Sequence, residues 1–187
     1  MTASLAYRKN ESAIIKGDVP EKYRRIVPHV PGDRILELGS AEGVLALLLA
    51  KEGKKVAALE RQEHRHAAAQ ELRDAWGVDG VRFICGDIRD NLGRLDGIDT
   101  LVAVRMIYYL RFDLDRVFAE VAKHVPNVVL CGNRNRADRY RAGVKDEPGG
   151  PHNLYASLEG MKALLERHGY RITKEVTDGD EIVVGAK

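Results

Sequence analysis

Five short, continuously apolar segments recur between residues 34 and 131, and a longer segment with helical character separates each from the next. The apolar segments cover residues 34–38, 55–59, 81–85, 98–104 and 127–131. They do not alternate between apolar and polar positions, which predicts strands buried on both faces, as in a parallel sheet covered by helices. Because the connections are short, we expect right-handed crossovers and a doubly wound α/β sheet.

The segments between these strands predict helices that end at glycine residues or polar turns. They cover residues 42–52, 62–76 and 113–124, while residues 88–92 predict a short helix or turn. Gly53 and Gly77 stop the first two, since glycine readily adopts the left-handed conformation that ends a helix.

The first 30 residues predict a helical extension or lid in front of a main domain at 31–187. A weak helix is indicated at 4–16. A second helix is indicated at 18–29, where Asp18 would be the N-cap and Glu21 would close a capping box.

The last third of the chain departs from the strand–helix alternation. Residues 132–153 predict a long polar loop, a feature that is usually functional or disordered in compact domains. A helix at 158–168 follows, and then strands at 170–176 and 181–185. The Asp178-Gly179 turn between these strands predicts an antiparallel hairpin. The expected fold is therefore a mostly parallel, doubly wound, seven-stranded sheet that ends in an antiparallel hairpin, with helices on both faces.

Composition narrows the class of protein but not its partner. The chain has 187 residues, 44% hydrophobic and 31% charged, which suits one globular domain with a sizeable core. Its net charge of +2 argues neither for nor against a polyanionic partner. With no secretory h-region and no apolar segment long enough for a membrane span, we expect a cytoplasmic protein. Cys85 and Cys131 lie in predicted buried strands, so we expect reduced core thiols. No spacing of histidine or cysteine indicates a metal site.

Acidic residues and glycines mark the carboxyl ends of the first three strands, where open α/β sheets bind ligands. Glu37 is a carboxylate inside an apolar strand, which is costly unless a cation or hydrogen-bond donor meets it. Gly39, Ser40 and Gly43 form the turn into a helix, whose backbone N–H groups suit an anionic group.

The next two strands carry the remaining candidate ligands. Glu60 ends the second strand, with Arg61 beside it, and can accept hydrogen bonds from two ribose hydroxyls. Gly86 and Asp87 follow the third strand; Asp87 can accept from an exocyclic amine, while the N–H of Ile88 can reach a ring nitrogen. A charged tail, a sugar and a base would each have a counterpart on a different strand.

In this order of motifs the chain resembles the class I S-adenosylmethionine (SAM)-dependent methyltransferases over roughly residues 31–187. The resemblance implies SAM as cofactor, with its methionine end held by Glu37 and the Gly39–Gly43 turn, its ribose by Glu60 and its adenine by Asp87 and Ile88. It also implies that Arg105, at the end of the fourth strand, lines the sulfonium side. One departure is Ala41, where the family often has a third glycine.

A dinucleotide-dependent dehydrogenase is the main α/β competitor. Its G-x-G-x-x-G fingerprint, counted from Gly39, would need glycine at the positions of Ala41 and Val44. Side chains would then meet a pyrophosphate where bare backbone is required, which disfavours this alternative.

The acceptor candidates follow the fourth and fifth strands. Tyr108 and Tyr109 resemble the aromatic segment that small-molecule methyltransferases place beside the substrate. Asn133, Arg134 and Arg136 open a basic segment, 133–145, and arginine forks suit carboxylate or phosphate groups. His152 is a further candidate for substrate binding, and no catalytic residue is identified.

We therefore expect methyl transfer to oxygen or nitrogen of a small, anionic acceptor, with no membrane partner. Two alternatives stay open, namely an RNA or protein methyltransferase that uses the basic segment 133–145, and a non-catalytic SAM-binding protein. Nucleic acid is not favoured, since no broad basic face with stacking aromatics is evident.

Overall fold

The computed structural model describes residues 18–148, 150 and 152–187. Seven strands form one sheet: β1 (Arg34–Leu38), β2 (Lys55–Glu60), β3 (Val81–Cys85), β4 (Thr100–Val104), β5 (Asn127–Cys131), β6 (Arg171–Val176) and β7 (Ile182–Ala186). Their spatial order is β3-β2-β1-β4-β5-β7-β6. The first five strands run parallel, whereas β7 is antiparallel to both β5 and β6. The predicted fold class is confirmed, including the terminal hairpin.

Seven α-helices connect or flank the strands within the described residues. They are α1 (Glu21–Ile26), α2 (Val44–Lys51), α3 (Glu63–Trp76), α4 (Ile88–Asn91), α5 (Leu114–His124), α6 (Arg134–Arg141) and α7 (Leu158–Arg167). Short 3₁₀ segments lie at Val27–His29, Leu92–Arg94, Ile107–Tyr109, Arg111–Asp113 and Asn153–Ala156.

Two apolar clusters fill the space between the sheet and its helices, one on each face. The first contains the buried face of α5, whose Leu114, Val117, Phe118 and Val121 follow helical spacing. The second contains α2, which is apolar on almost all sides, and Ile35 of β1. Since side chains alternate along a strand, Glu37 lies on the same face of β1 as Ile35, beneath α2. The interior strand β1 of the sheet therefore carries a buried carboxylate directly below a helix.

The N-terminal part differs from its prediction in how the helix begins. Pro20, not Asp18, occupies the N-cap of α1, and no side chain of the described residues caps it. The helix gives way to a 3₁₀ turn at Val27–His29, where Pro28 interrupts the backbone hydrogen bonding. The helix predicted at 4–16 lies outside the described residues.

The predicted loop at 132–153 is the main correction to the fold. It contains α6, whose N-cap Asn133 accepts a hydrogen bond from the N–H of Arg136 through its side chain at 3.4 Å. Only Ala137 of this helix is buried, so no apolar periodicity marks it in the sequence.

A second correction concerns Cys85, which is exposed, whereas Cys131 is buried as predicted. The reason is topological: β3 is an edge strand of the sheet, and its last residues are only partly covered. Both thiols are unpaired.

Gly160 in α7 gives a test of the packing around the 3₁₀ segment Asn153–Ala156. Glycine-to-alanine changes inside helices ordinarily add up to about 1 kcal/mol of stability. Here a Cβ atom would collide with the carbonyl oxygen of Leu154, so we expect Gly160→Ala to lose about 1–3 kcal/mol instead. Urea unfolding measures the change. Gly93→Ala, which meets open space, is the matched control, and equal stability of the two variants would contradict the packing described here.

Candidate functional site

A cavity of about 830 Å³ opens at the carboxyl ends of the parallel strands. All predicted cofactor residues except Gly43 line it: Glu37, Gly39, Ser40, Glu60, Arg61, Gly86, Asp87, Ile88 and Arg105. Gly43 instead adopts φ 75° at the start of α2 and packs so closely on the Phe83 ring that no side chain fits. The consecutive strand ends thus converge on one space, as their order in the sequence suggests.

Glu37 is 2% exposed, and its Oε2 atom has no hydrogen-bond partner among the described residues. Burial raises the pKa of this carboxyl to about 8; a backbone hydrogen bond from Ala46 opposes the shift, and the charge of Glu60 adds to it. A buried carboxylate without compensation favours a cationic partner. The position therefore suits a ligand ammonium group.

Glu60 connects the β1–α2 turn to the β2–α3 turn by hydrogen bonds. Its Oε2 accepts the N–H of Ala41 at 3.0 Å, and its Oε1 accepts the N–H of Gln62 at 2.8 Å. Ala41 has φ 51°, a left-handed conformation that glycine adopts more readily, so this turn forms at some conformational cost. A carboxylate oxygen can accept more than one hydrogen bond, so each oxygen of Glu60 can still accept one from a ribose hydroxyl.

Contrary to the prediction, backbone N–H groups of the glycine turn donate to carbonyl groups of the protein and do not face the cavity. Those of Gly39 and Ser40 donate to the carbonyl of Leu59 at 2.8 and 3.1 Å, and that of Gly43 donates to Ser40 at 2.8 Å. The turn curls toward β2 because Glu60 and Leu59 supply the acceptors. These three N–H groups are therefore not available to an anionic ligand group, and the Ser40 hydroxyl, buried without a partner among the described residues, is one candidate contact for it.

Asp87 is held by an arginine of its own helix. Its Oδ1 caps α4 by accepting the Arg89 N–H at 3.0 Å, and the Arg89 guanidinium binds both oxygens at 2.9 and 2.6 Å. The Arg89 side-chain hydrogen bond lowers the pKa of Asp87 despite partial burial. The predicted bond from an exocyclic amine would have to share this carboxylate with Arg89.

Arg105 lines the cavity, but its guanidinium points to the β6–β7 turn. Its Nε donates to Asp180 Oδ2 at 2.7 Å, and Nη2 pairs with the same oxygen. Asp180 is 8% exposed and also accepts the N–H of Arg134 at 3.1 Å through Oδ1. The hairpin turn is thus tied to the ends of β4 and β5.

The predicted acceptor residues form a rim rather than the cavity wall, apart from Tyr109, which lines it. The Tyr108 and Tyr109 rings lie 4.7 Å apart, and the Arg136 guanidinium lies 5.2 and 5.7 Å from their centroids. Asn133 Nδ2 lies 3.4 Å from the Tyr108 hydroxyl. The Arg134 side chain is exposed.

His152 belongs to the same rim. Its Nδ1 lies 3.3 Å from Asp146 Oδ2, and its backbone N–H donates to the Tyr108 carbonyl at 3.0 Å. Its ring meets Phe112 edge-on at 6.4 Å. The structure therefore places His152 beside the tyrosine pair but outside the cavity lining.

Several cavity residues were missed by the sequence analysis, above all those of the N-terminal segment. Asp18, Lys22 and Tyr23 line the cavity from α1 and the residue that was expected to cap it. The helical extension or lid predicted for residues 1–30 was the sequence signal that pointed to them. Met106 is another cavity residue that the sequence analysis missed. Its side chain packs directly against Gly39, where an added Cβ would lie 3.0 Å from the Cβ of Met106.

Within the described residues there is neither a metal-binding cluster of histidine, cysteine and carboxylate groups nor a helix long and apolar enough to cross a bilayer.

Comparison with known proteins yields one family and many structural relatives. The model of a family described as "Methyltransferase domain" matches residues 35–127, from β1 to the start of β5. Magnesium protoporphyrin IX methyltransferase (ChlM) from Synechocystis PCC 6803 with bound SAM is 12% identical, with a TM-score of 0.68 over 100% of this chain and 86% of that one. The N-terminal domain of EvdMO1 with SAH bound is 21% identical, with a TM-score of 0.62 over 89% of this chain and 79% of that one.

The bifunctional kinase-methyltransferase WbdD shares the fold at 17% identity and a TM-score of 0.60, over 95% of this chain and 39% of that one. No curated protein sequence matches the chain. At these identities the structural relatives establish the fold, and the family model adds the activity.

The cavity fits a SAM molecule on this chain's own features. The unpartnered oxygen of Glu37 suits the ammonium group, and the remaining hydrogen-bonding capacity of Glu60 suits the ribose hydroxyls. The Ser40 hydroxyl, buried in the turn between them, offers a further polar contact.

The raised pKa of Glu37 predicts a pH dependence of stability. The folded protein binds a proton at this carboxyl up to about pH 8, whereas the unfolded chain releases it near its ordinary value of 4.5. The contribution of Glu37 to stability therefore falls as pH rises between these values, by up to about 1.4 kcal/mol per pH unit.

Glu37→Gln removes this slope. We expect urea unfolding at pH 5.5 and 8.0 to show a larger loss for the wild type than for the variant. His29, whose pKa is lowered mainly by burial, contributes in the opposite direction, but the comparison cancels it. Identical slopes would contradict the assignment.

Proposed function

Because this chain belongs to the class I SAM-dependent methyltransferases, we propose that it transfers the methyl group to an oxygen or nitrogen of a small, anionic molecule. SAM, when bound, supplies a methyl group on a sulfonium that is already activated for displacement. The protein's task is then to align the nucleophile, an orientation effect worth up to about 7–11 kcal/mol.

The proposed contacts to SAM use the strand ends. Glu37 would pair with the ammonium group, Glu60 would accept from the ribose, and Ile88 and Asp87 would meet the adenine. The bonds from Ala41 and Gln62 to Glu60 orient its carboxylate before any ligand arrives, which reduces the ordering cost of binding. Arg89 would have to share Asp87 with the adenine amine.

The size of the cavity and the residues that line it support the proposal of a small acceptor. Pockets for one drug-sized ligand span about 300–1,000 Å³, and 830 Å³ lies near the top of that range. It suits SAM and a small second molecule that reaches Tyr109 and Leu110. Residues Lys22 and Tyr23 of α1 line the same space, which disfavours a folded macromolecule as the acceptor.

The residues of the rim support the proposal that the acceptor carries an anionic group. Arg136 is half-buried, lies over the Tyr108 and Tyr109 rings, and is steadied by a bond to Asn153 Oδ1 at 3.3 Å. A guanidinium fixed in this way loses little side-chain freedom when it binds a carboxylate or phosphate.

Incubation of the purified chain with methyl-labelled SAM and fractionated cell extract tests the proposal. We expect label in small molecules that are retained by an anion-exchange resin. Glu60→Ala is the control for donor binding, and it should abolish labelling because it removes both turn bonds as well as the ribose acceptor. Label confined to RNA or protein would favour the macromolecular alternative. Heat from SAH binding without any labelled product would favour a non-catalytic SAM-binding protein.

Arg136 and Arg134 provide a matched pair of variants. Arg136→Ala should raise the acceptor KM by about tenfold, the loss of one charge-assisted hydrogen bond. Arg134→Ala should leave it nearly unchanged, since its side chain is exposed and its backbone alone contacts Asp180. Equal effects in steady-state kinetics would contradict the rim described here.

A further inference from the structure

Lys22 is a cation of the cavity wall without an ion-pair partner among the described residues. Arg61, Arg89 and Arg105, which line the same cavity, each pair with a carboxylate. The Lys22 ammonium lies 4.6 Å from the ring centroid of Tyr23, a contact that orients it without neutralising it.

The charges that face Lys22 leave its ammonium poorly compensated. Burial lowers the pKa of Lys22 most, and the neighbouring Arg105 lowers it further, while Asp180 and, more weakly, Cys131 and Glu42 oppose this. Asp180 is already committed, because its two oxygens bind the Arg105 guanidinium and the Arg134 N–H. Burial also raises the pKa of the Cys131 thiol to about 12, so this group supplies no negative charge at neutral pH.

Most of the groups that face Lys22 lie on a different side of the sheet from the residues proposed to bind the ribose and adenine of SAM. Arg105 follows β4, Cys131 ends β5, and Asp180 precedes β7. These strands lie on the opposite side of β1 from β2 and β3, which carry Glu60 and precede Asp87. Of the groups that face Lys22, all but Glu42 therefore lie on the β4–β5–β7 side of the cavity, away from Glu60 and Asp87.

We propose that Lys22, with Arg105 held beside it by Asp180, binds an anionic group of the methyl acceptor inside the cavity. This inference rests on the proposed function and assigns its substrate class, a small molecule with a carboxylate or a phosphate monoester. Two adjacent cations with one committed carboxylate favour an added anion. The acceptor would thus be held by α1 inside the cavity and by Arg136 at the rim.

The test uses the full chain saturated with SAH and two simple probes, benzoate and phenyl phosphate, with benzamide as the uncharged analogue. Titrations are followed by the NMR signals of isotope-labelled lysine. We expect the Lys22 signal to shift with at least one anion and not with benzamide, and the tighter anion distinguishes carboxylate from phosphate recognition. Lys22→Met should weaken anion binding at least tenfold, whereas Lys22→Arg should stay within about threefold.

Arg24→Met is the matched control, because it removes the same charge from the exposed face of α1 and should leave the anion affinity unchanged. The affinity of Lys22→Met for SAH, measured by calorimetry, should stay within twofold of the wild type. A tenfold loss of SAH affinity would overturn the inference, since Lys22 would then serve the carboxylate of SAM. Unchanged anion binding in Lys22→Met, or no shift with either anion, would also overturn it. Failure of the proposed function is distinguishable, because the wild type would then either give no heat with SAH or bind SAH and yield no labelled product from methyl-labelled SAM.

Discussion

A carboxylate at the centre of the sheet, Glu37 of β1, is the constraint around which the site is arranged. Its neighbours are apolar strands and α2, and the described residues satisfy only part of its hydrogen-bonding capacity. Such a group is tolerated when a ligand cation pairs with it, and the ammonium group of SAM is the cation that we propose. The free-energy cost of burying Glu37 in the free protein would therefore be relieved when a ligand cation binds, which favours ligand binding.

The other carboxylates of the site are fixed before ligand binding. Glu60 is bound by two backbone N–H groups, Asp87 by its helix and by Arg89, and Asp180 by Arg105. These bonds orient the acidic groups and connect consecutive strand ends. A ligand then meets a preformed surface, which lowers the entropy lost on association.

The division of the cavity follows the sheet order. Strands β1, β2 and β3 carry the groups proposed to hold SAM, while β4, β5 and the hairpin turn carry Arg105, Cys131 and Asp180. The antiparallel β7 matters here because it brings the turn, and with it Asp180, beside the ends of β4 and β5. The terminal hairpin thus orients Arg105, on the side of the site where we propose that the acceptor binds, as well as completing the sheet.

The sequence by itself determined the strands, their parallel arrangement and the acidic residues at three strand ends, because burial on both faces and glycine turns leave local signals. Tertiary structure decided what those residues contact. Neighbours in space determine that Asp87 pairs with Arg89 and that the N–H groups of the glycine turn donate to protein carbonyls. They also determine that Cys85 is exposed on an edge strand. The same holds for Lys22, which α1 brings over strand ends that lie far from it along the chain. Local spacing carries no record of such contacts, since they arise only when separate elements pack together.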